Sequence, residues 1–270
     1  MWSLYDEDKE LKPLCFSNGK TQEDVVKEVL ELVKERNKII FIRGMCGTGK
    51  SAIALNLARK LGKTSIVVPI KSLQEQYTKD YSGKKYLLNN GKKMKICSVF
   101  GRQNFKCRFL EENEFDFERK KIKEKNSSLT DIFSINKMNF EKKKNDSCDN
   151  DLLPCKIEIK EKNMDVLKNY IKLNPDVRLS DFDSISDISR MTIAPVCPYW
   201  SPTIPEDLDL KKLKDIKKVT YQGLNNRRFS YYERKPGCAY YEQYKGYFDS
   251  DVLIFNSLKY KIETIMDRNH

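Results

Sequence analysis

Residues 44–51, Gly44-Met45-Cys46-Gly47-Thr48-Gly49-Lys50-Ser51, fit the pattern G-x-x-x-x-G-K-[ST] at every fixed position. That pattern restricts the fold, because it works only between a strand and the start of a helix. Glycine backbone turns tightly enough for successive N–H groups to point inward, and the first turn of the next helix adds its positive end. Such a concavity holds phosphate oxygens. Gly44, Gly47, Thr48 and Gly49 would form the cradle of an ATP site, Lys50 would meet the β- and γ-phosphates, and the Ser51 hydroxyl would ligate Mg²⁺. The flanks agree. Residues 39–42 (IIFI) are an all-apolar run, too short for a helix and suited to a strand buried on both faces. Residues 51–61 (SAIALNLARKL) read as a helix rich in Ala and Leu.

The rest of the first hundred residues continues the alternation. Residues 22–35 place Val25, Val26, Val29, Leu30 and Val33 at helical spacing, with Thr21 as cap and Asp24 at the third helical position. Residues 66–68 form a second short buried strand, 72–80 another helix, and 252–255 (VLIF) a strand near the end. Strands alternating with helices predict an α/β fold with a parallel sheet and right-handed crossovers. After about Arg102 the texture changes. Residues 111–165 are dense in Lys, Glu, Asn and Asp, and read as solvated helix surface or loop without material for a core. From Cys197 onward the sequence is aromatic and basic. The simplest organisation is an α/β domain interrupted between about residues 100 and 240.

Composition excludes several classes of chemistry. Of the 270 residues a single one is His, and it is His270. Ser-His-Asp triads, Cys-His pairs and histidine zinc sites are therefore out. No apolar run approaches the ~20 residues that span a bilayer, and the N-terminal segment lacks a signal peptide's apolar stretch, so no membrane partner and a cytoplasmic location are expected. There are 51 Lys and Arg against 39 Asp and Glu, a net charge of +12. That excess favours a polyanionic partner. Eight cysteines in a reducing compartment are thiols or metal ligands. No C-x-x-C pair occurs. Cys15, Cys46 and Cys97 read as small buried residues. Cys107, Cys148, Cys155, Cys197 and Cys238 fall in or beside the poorly apolar insertion, where a metal would act as a staple. Four thiolates without His suit Zn²⁺ or an iron–sulfur cluster.

Several segments together resemble the N-terminal half of the superfamily 2 iron–sulfur DNA helicases of the XPD and DinG type. Besides the phosphate loop, these are residues 64–77 (TSIVVPIKSLQEQY), similar to motif Ia; 101–107 (GRQNFKC), similar to the segment carrying the first cluster ligand; and Cys238-Ala239-Tyr240-Tyr241 followed by 251–260 (DVLIFNSLKY), similar to the last ligand and return strand. The resemblance spans nearly the whole chain except residues 111–190. It implies a RecA-like P-loop motor domain over 1–100 and 241–270, with a small, mostly helical, Cys-rich iron–sulfur insertion over 101–240. It implies an ATP-dependent helicase moving 5′ to 3′ on single-stranded or forked DNA, with ATP, Mg²⁺ and a [4Fe–4S] cluster as cofactors. Gln22 takes the place of an adenine-reading glutamine. Cys107, Cys197 and Cys238 take the first, third and last ligand positions. The second is Cys155, whose approach Pro154 would fix, or alternatively Cys148.

For DNA, the resemblance points to Ser72, Gln74 and Gln76 in motif Ia and to Arg102. The basic and aromatic tract adds Arg227, Arg228, Tyr231, Arg234 and Tyr240, since stacking with backbone neutralisation is how single strands are held without sequence preference. The basic run at 211–218 and Tyr241, Tyr244 and Tyr247 belong to the same tract; the rival reading makes these tyrosines core. Two departures are expected to matter. No Asp-Glu-x-His box (motif II) follows the strand at 252–255, and no second motor domain is present. The chain therefore reads as part of a helicase, inactive alone, or as a non-catalytic nucleic-acid-binding module or half-helicase working with a separately encoded C-terminal half.

Overall fold

The computed structural model describes residues 2–81, 83–113, 146–208, 210, 213 and 216–268. They divide into two units. The first comprises Met1–Phe100, Tyr221–Phe229 and Gln243–His270; the second comprises Gly101–Thr220 and Ser230–Glu242.

The first unit opens its main body with helix α1 (Gln22–Lys34). Its start is fixed as the sequence implies: Thr21 accepts from the Asp24 N–H, and the Asp24 carboxylate accepts from the Thr21 N–H in return. Helix α2 (Lys50–Leu61), strand β1 (Thr64–Val68), helix α3 (Lys71–Tyr81) and strand β2 (Ile96–Val99) follow. The chain returns to this unit in strand β3 (Val252–Asn256) and helix α4 (Ser257–Ile265). The sheet is parallel, in the order β1-β3-β2. Val252 pairs with Thr64 on one side and Ile96 on the other. Val252, Leu253, Ile254 and Phe255 are all fully buried, as a central parallel strand covered on both faces requires. Leu55 and Ala58 of α2, Tyr77 of α3 and Leu87 pack with Val252 and Ile254 to make the core.

One expected strand does not form. Residues 39–42 have no strand assignment; Ile39 is 75% and Phe41 93% exposed. Among the described residues no strand pairs with this run. An isolated strand has nothing to satisfy its backbone, so apolar character alone does not make it one.

The second unit has its own apolar core, which corrects the expectation that this region lacks the material for one. Ile157, Leu167, Ile171, Val177, Ile188 and Ile193 cluster, all buried. The helix Met164–Lys172 supplies Leu167 and Ile171 at four-residue spacing, so a sparse set of aliphatic side chains still lies on one face. Short 3₁₀ turns dominate the rest of this core: Ser184 and Asp187, for example, close a capping box around one of them. The strands Thr203–Pro205, Arg228–Glu233 and Lys217–Gln222 make an additional sheet with Arg228–Glu233 central. Residues 114–145, which hold most of the charged stretch, lie outside the described residues, as do 211, 212, 214 and 215 of the basic run. Among the described residues no helix is long and apolar enough to cross a membrane.

Candidate nucleotide site and cysteine cavity

The phosphate loop of the first unit has the backbone its glycines allow. Gly47 has φ +83° and Gly49 φ +70°, both in the left-handed region. Gly49 is the N-cap of α2, so the helix starts directly from the loop. At Gly44 an added Cβ would come within 3.0 Å of the Thr48 hydroxyl. That hydroxyl donates to the Met45 carbonyl (2.8 Å). The Lys50 ammonium donates to the carbonyls of Gly44 (3.1 Å) and Met45 (2.7 Å), and the side chain is otherwise exposed. A cation is thus held on the loop that opens the N-terminus of α2, and a helix N-terminus stabilises an anion. Burial raises the Tyr77 hydroxyl of α3, and the neighbouring Ser51 side chain offsets part of that rise. Tyr77 was not singled out from the sequence; the spacing Gln74, Tyr77, Tyr81 along one face of α3 is the signal that could have found it.

Gln22, expected to read adenine, is buried and bonded to the protein at both ends of its amide. Its oxygen accepts from the Leu14 N–H and its nitrogen donates to the Thr48 carbonyl, each at 2.9 Å. Motif Ia divides in a similar way. Ser72 and Gln76 are exposed, Gln76 donating to Asp80 within its own helix. Gln74 is fully buried. Its amide nitrogen donates to the carbonyls of Val99 and Ile254, both at 2.9 Å, so it ties α3 to two strands and is not offered to a phosphate. Arg227 and Arg228 are exposed, with Arg227 3.6 Å from Asp267.

In the second unit Arg102, Cys107, Cys148, Cys155, Cys197 and Cys238 line one cavity. The chain brings them there by local pairing. The Cys107 N–H donates to the Asp146 carbonyl and the Cys148 N–H to the Phe105 carbonyl, an antiparallel bridge that sets the two thiols side by side. The Cys148 thiol donates to the Lys106 carbonyl (3.4 Å), with the thiols of Cys107 and Cys238 as neighbours. The adjacent Cys148 holds the Cys107 thiol down at about 7 and lowers Cys238, while Cys148, with two neighbours that draw on its proton, is raised. Burial raises Cys155, and pushes Cys197 up to about 12. All eight cysteines are free. Among the described residues no three His, Cys, Asp or Glu side chains are grouped so as to hold a metal ion. The five cysteines among which a ligand set was expected line one cavity, and among the described residues they are not assembled as a coordination shell.

The four expected nucleic-acid contacts of this unit are each engaged within the protein. Arg102 donates to the Tyr241 hydroxyl (2.8 Å), the Cys148 carbonyl (3.3 Å) and the Cys155 sulfur (3.3 Å), and lies over the Tyr240 ring at 4.4 Å. Arg234 donates to the carbonyls of Cys197 (2.7 Å) and Pro195 (3.2 Å). Tyr231 and Tyr240 are buried, so neither presents a ring for a base to stack on. Tyr244 and Tyr247, in the first unit, are buried as well. Aromatic side chains carry more apolar area than any others, and here burial claims them.

No curated protein and no solved structure matches the chain. The family model described as Type III restriction enzyme, res subunit (ResIII) matches residues 17–165, more than half of the chain, and includes the phosphate loop, α1 to α3 and three of the five clustered cysteines. Such a match marks a helicase-like superfamily 2 N-terminal domain, with helicase or ATPase activity in the broad sense. With its glycine-turned loop opening α2 above a parallel sheet, the chain belongs to the ResIII family.

Proposed function

We propose that the chain is the nucleotide- and nucleic-acid-holding part of an ATP-dependent DNA helicase of the iron–sulfur XPD and DinG type, acting in the cytoplasm. The observation that carries the reading is the loop at residues 44–51, with left-handed glycines at 47 and 49 and a lysine ammonium already resting on its carbonyls. A triphosphate entering the loop would take the N–H donors of residues 47–51 and draw Lys50 off the Gly44 and Met45 carbonyls. The same cation then neutralises charge on the β- and γ-phosphates. Ser51 would hold Mg²⁺, which supplies charge neutralisation between the same phosphates. Exposed Ser72, Gln76, Arg227 and Arg228 are the groups for the nucleic-acid backbone.

What supports a [4Fe–4S] cluster is the chemistry of the donors: five thiols from well-separated segments line one cavity, with no histidine among them. Cys107, Cys197 and Cys238 would hold it together with Cys155 or Cys148. A cluster bound there would cross-link these segments. A second reading is a non-catalytic nucleic-acid-binding module, or a half-helicase completed by a separate chain, and the exposed apolar run at 39–42 favours it.

Two measurements test the proposal. Lys50→Ala is expected to abolish binding of a fluorescent ATP analogue; unchanged binding refutes the nucleotide site. Anaerobically purified protein is expected to carry about four irons per chain with broad absorbance near ~400 nm. One zinc, or no metal, refutes the cluster. If iron is present, Cys155→Ser set against Cys148→Ser identifies the second ligand as the variant that loses it.

A further inference from the structure

Gln22 carries an amide able in principle to read adenine, because a carboxamide can accept from the 6-amino group while donating to N7. Its surroundings in this chain direct that amide elsewhere. Leu14 offers a backbone N–H, which can only donate, and Thr48 a backbone carbonyl, which can only accept. The two partners therefore fix which end of the amide is oxygen, and a flip would set like against like at both ends. The side chain is only 3% exposed, so its remaining N–H and lone pair have almost no open approach. The amide also lies directly on the loop, since a Cβ at Gly49 would collide with the Gln22 nitrogen. The Gln22 N–H donates to the Leu14 carbonyl (3.0 Å), and a bridge between Cys15 and Thr21 closes the segment behind it.

The two ends of the site thus differ in what they offer. At the phosphate end Lys50 and the loop are exposed and rest on bonds that an anion can displace. Beside Gly49, the neighbour of the buried Gln22 amide is the Leu14 side chain, 53% exposed and apolar. An aliphatic side chain contacts any base ring alike and distinguishes none by hydrogen bonding.

We propose that this chain selects its nucleotide by the triphosphate and not by the base, so that purine and pyrimidine nucleoside triphosphates bind about equally, and that Gln22 is a positioning residue holding the phosphate loop against residue 14. The inference rests on the reading of residues 44–51 as a nucleotide site.

The test is displacement of a ribose-labelled fluorescent ATP from the full chain, with Mg²⁺, by ATP, GTP, CTP, UTP and inorganic tripolyphosphate. The four nucleotides are expected to compete within about threefold of one another, a difference under ~1 kcal/mol, and tripolyphosphate to compete as well. A preference for ATP of about tenfold or more over the other three overturns the proposal while leaving the nucleotide site intact. Probe binding that is the same in wild type and Lys50→Ala, and that no competitor displaces, overturns the nucleotide site and the proposal with it. Gln22→Glu keeps the acceptor for Leu14 and loses the donor to Thr48. It is expected to weaken all four nucleotides and tripolyphosphate by a common factor of about fivefold, the worth of one hydrogen bond, with their ratios unchanged. A base reader would change the ratio of ATP to GTP and spare tripolyphosphate, which would overturn the proposal; a substitution that only loosened the fold would lower the melting temperature and leave tripolyphosphate affinity, measured well below that temperature, unmoved.

Discussion

Glu263 has no exposed surface, yet it is charged, and its neighbours explain how. Lys259 lies 2.7 Å away and Arg268 3.0 Å, while the Tyr247 hydroxyl donates at 2.8 Å. Burial by itself would raise the carboxyl's pKa; Arg268 and Lys259 outweigh it and hold the group below its usual 4.5. Removing the carboxylate leaves two cations with little access to water, and breaking such a pair costs about 3–5 kcal/mol. Glu263→Gln is therefore expected to lower Tm by about 10 °C, given the ~2–4 °C per kcal/mol typical of chains this size. A calorimetric shift below about 2 °C would mean that the cluster adds nothing beyond shape. The pH dependence follows in sign. Because the folded-state pKa is depressed, the contribution is complete above 4.5 and is lost as pH falls through the lower folded value. The gap in Tm between wild type and Glu263→Gln should accordingly be full at neutral pH and narrow at strongly acid pH.

Helix α3 carries the difference between what the sequence makes legible and what only the structure supplies. Its extent, like those of α1, α2, β1 and β3, follows from apolar spacing and capping residues, which are local properties of the chain. The partner of Gln74 is not local: Val99 and Ile254 lie 25 and 180 residues away. From the sequence, a glutamine in a motif of polar residues reads as a phosphate contact; in the fold it bridges two strands. Gln74→Leu would take a donor from each of those carbonyls in a dry interior, at about 1–3 kcal/mol. We expect a lower urea midpoint with an unchanged slope, together with unaltered nucleic-acid affinity. A loss of affinity in a variant of unchanged stability would restore Gln74 to the nucleic-acid surface. The same non-locality governs Arg102 and Arg234. Basic residues among tyrosines suggest a surface for DNA, but both guanidiniums donate to carbonyls around the cysteine cavity. Neither the length of the insertion nor the spacing of its cysteines reveals that arrangement.

Across the chain, the convergence of Cys107, Cys148, Cys155, Cys197 and Cys238 was legible as a group, because all five fall where aliphatic residues are sparse. Which of them pair was not, since the bridge between Lys106 and Ser147 joins segments 41 residues apart. The reverse holds for residues 39–42. Their composition says buried strand, but burial needs a neighbour, and the described residues provide none. Ile39, Phe41 and Ile42 remain exposed, as do Val67 on β1 and Leu258, Ile262 and Ile265 along α4. Single exposed apolar residues are ordinary, but a run of adjacent ones next to unpaired backbone is a template for association. Phe41, at 93% exposure, has the most area to lose on contact. The protein is expected to self-associate as its concentration rises into the micromolar range, and Phe41→Lys to suppress this, since a charge in an unpaired apolar segment opposes strand-to-strand contact. Sedimentation velocity over a concentration series checks it. A wild-type chain that stays monomeric throughout, with a coefficient matching that of Phe41→Lys, would mean that the run is not a contact surface. The alternative reading as a half completed by another chain would then lose the observation that favours it.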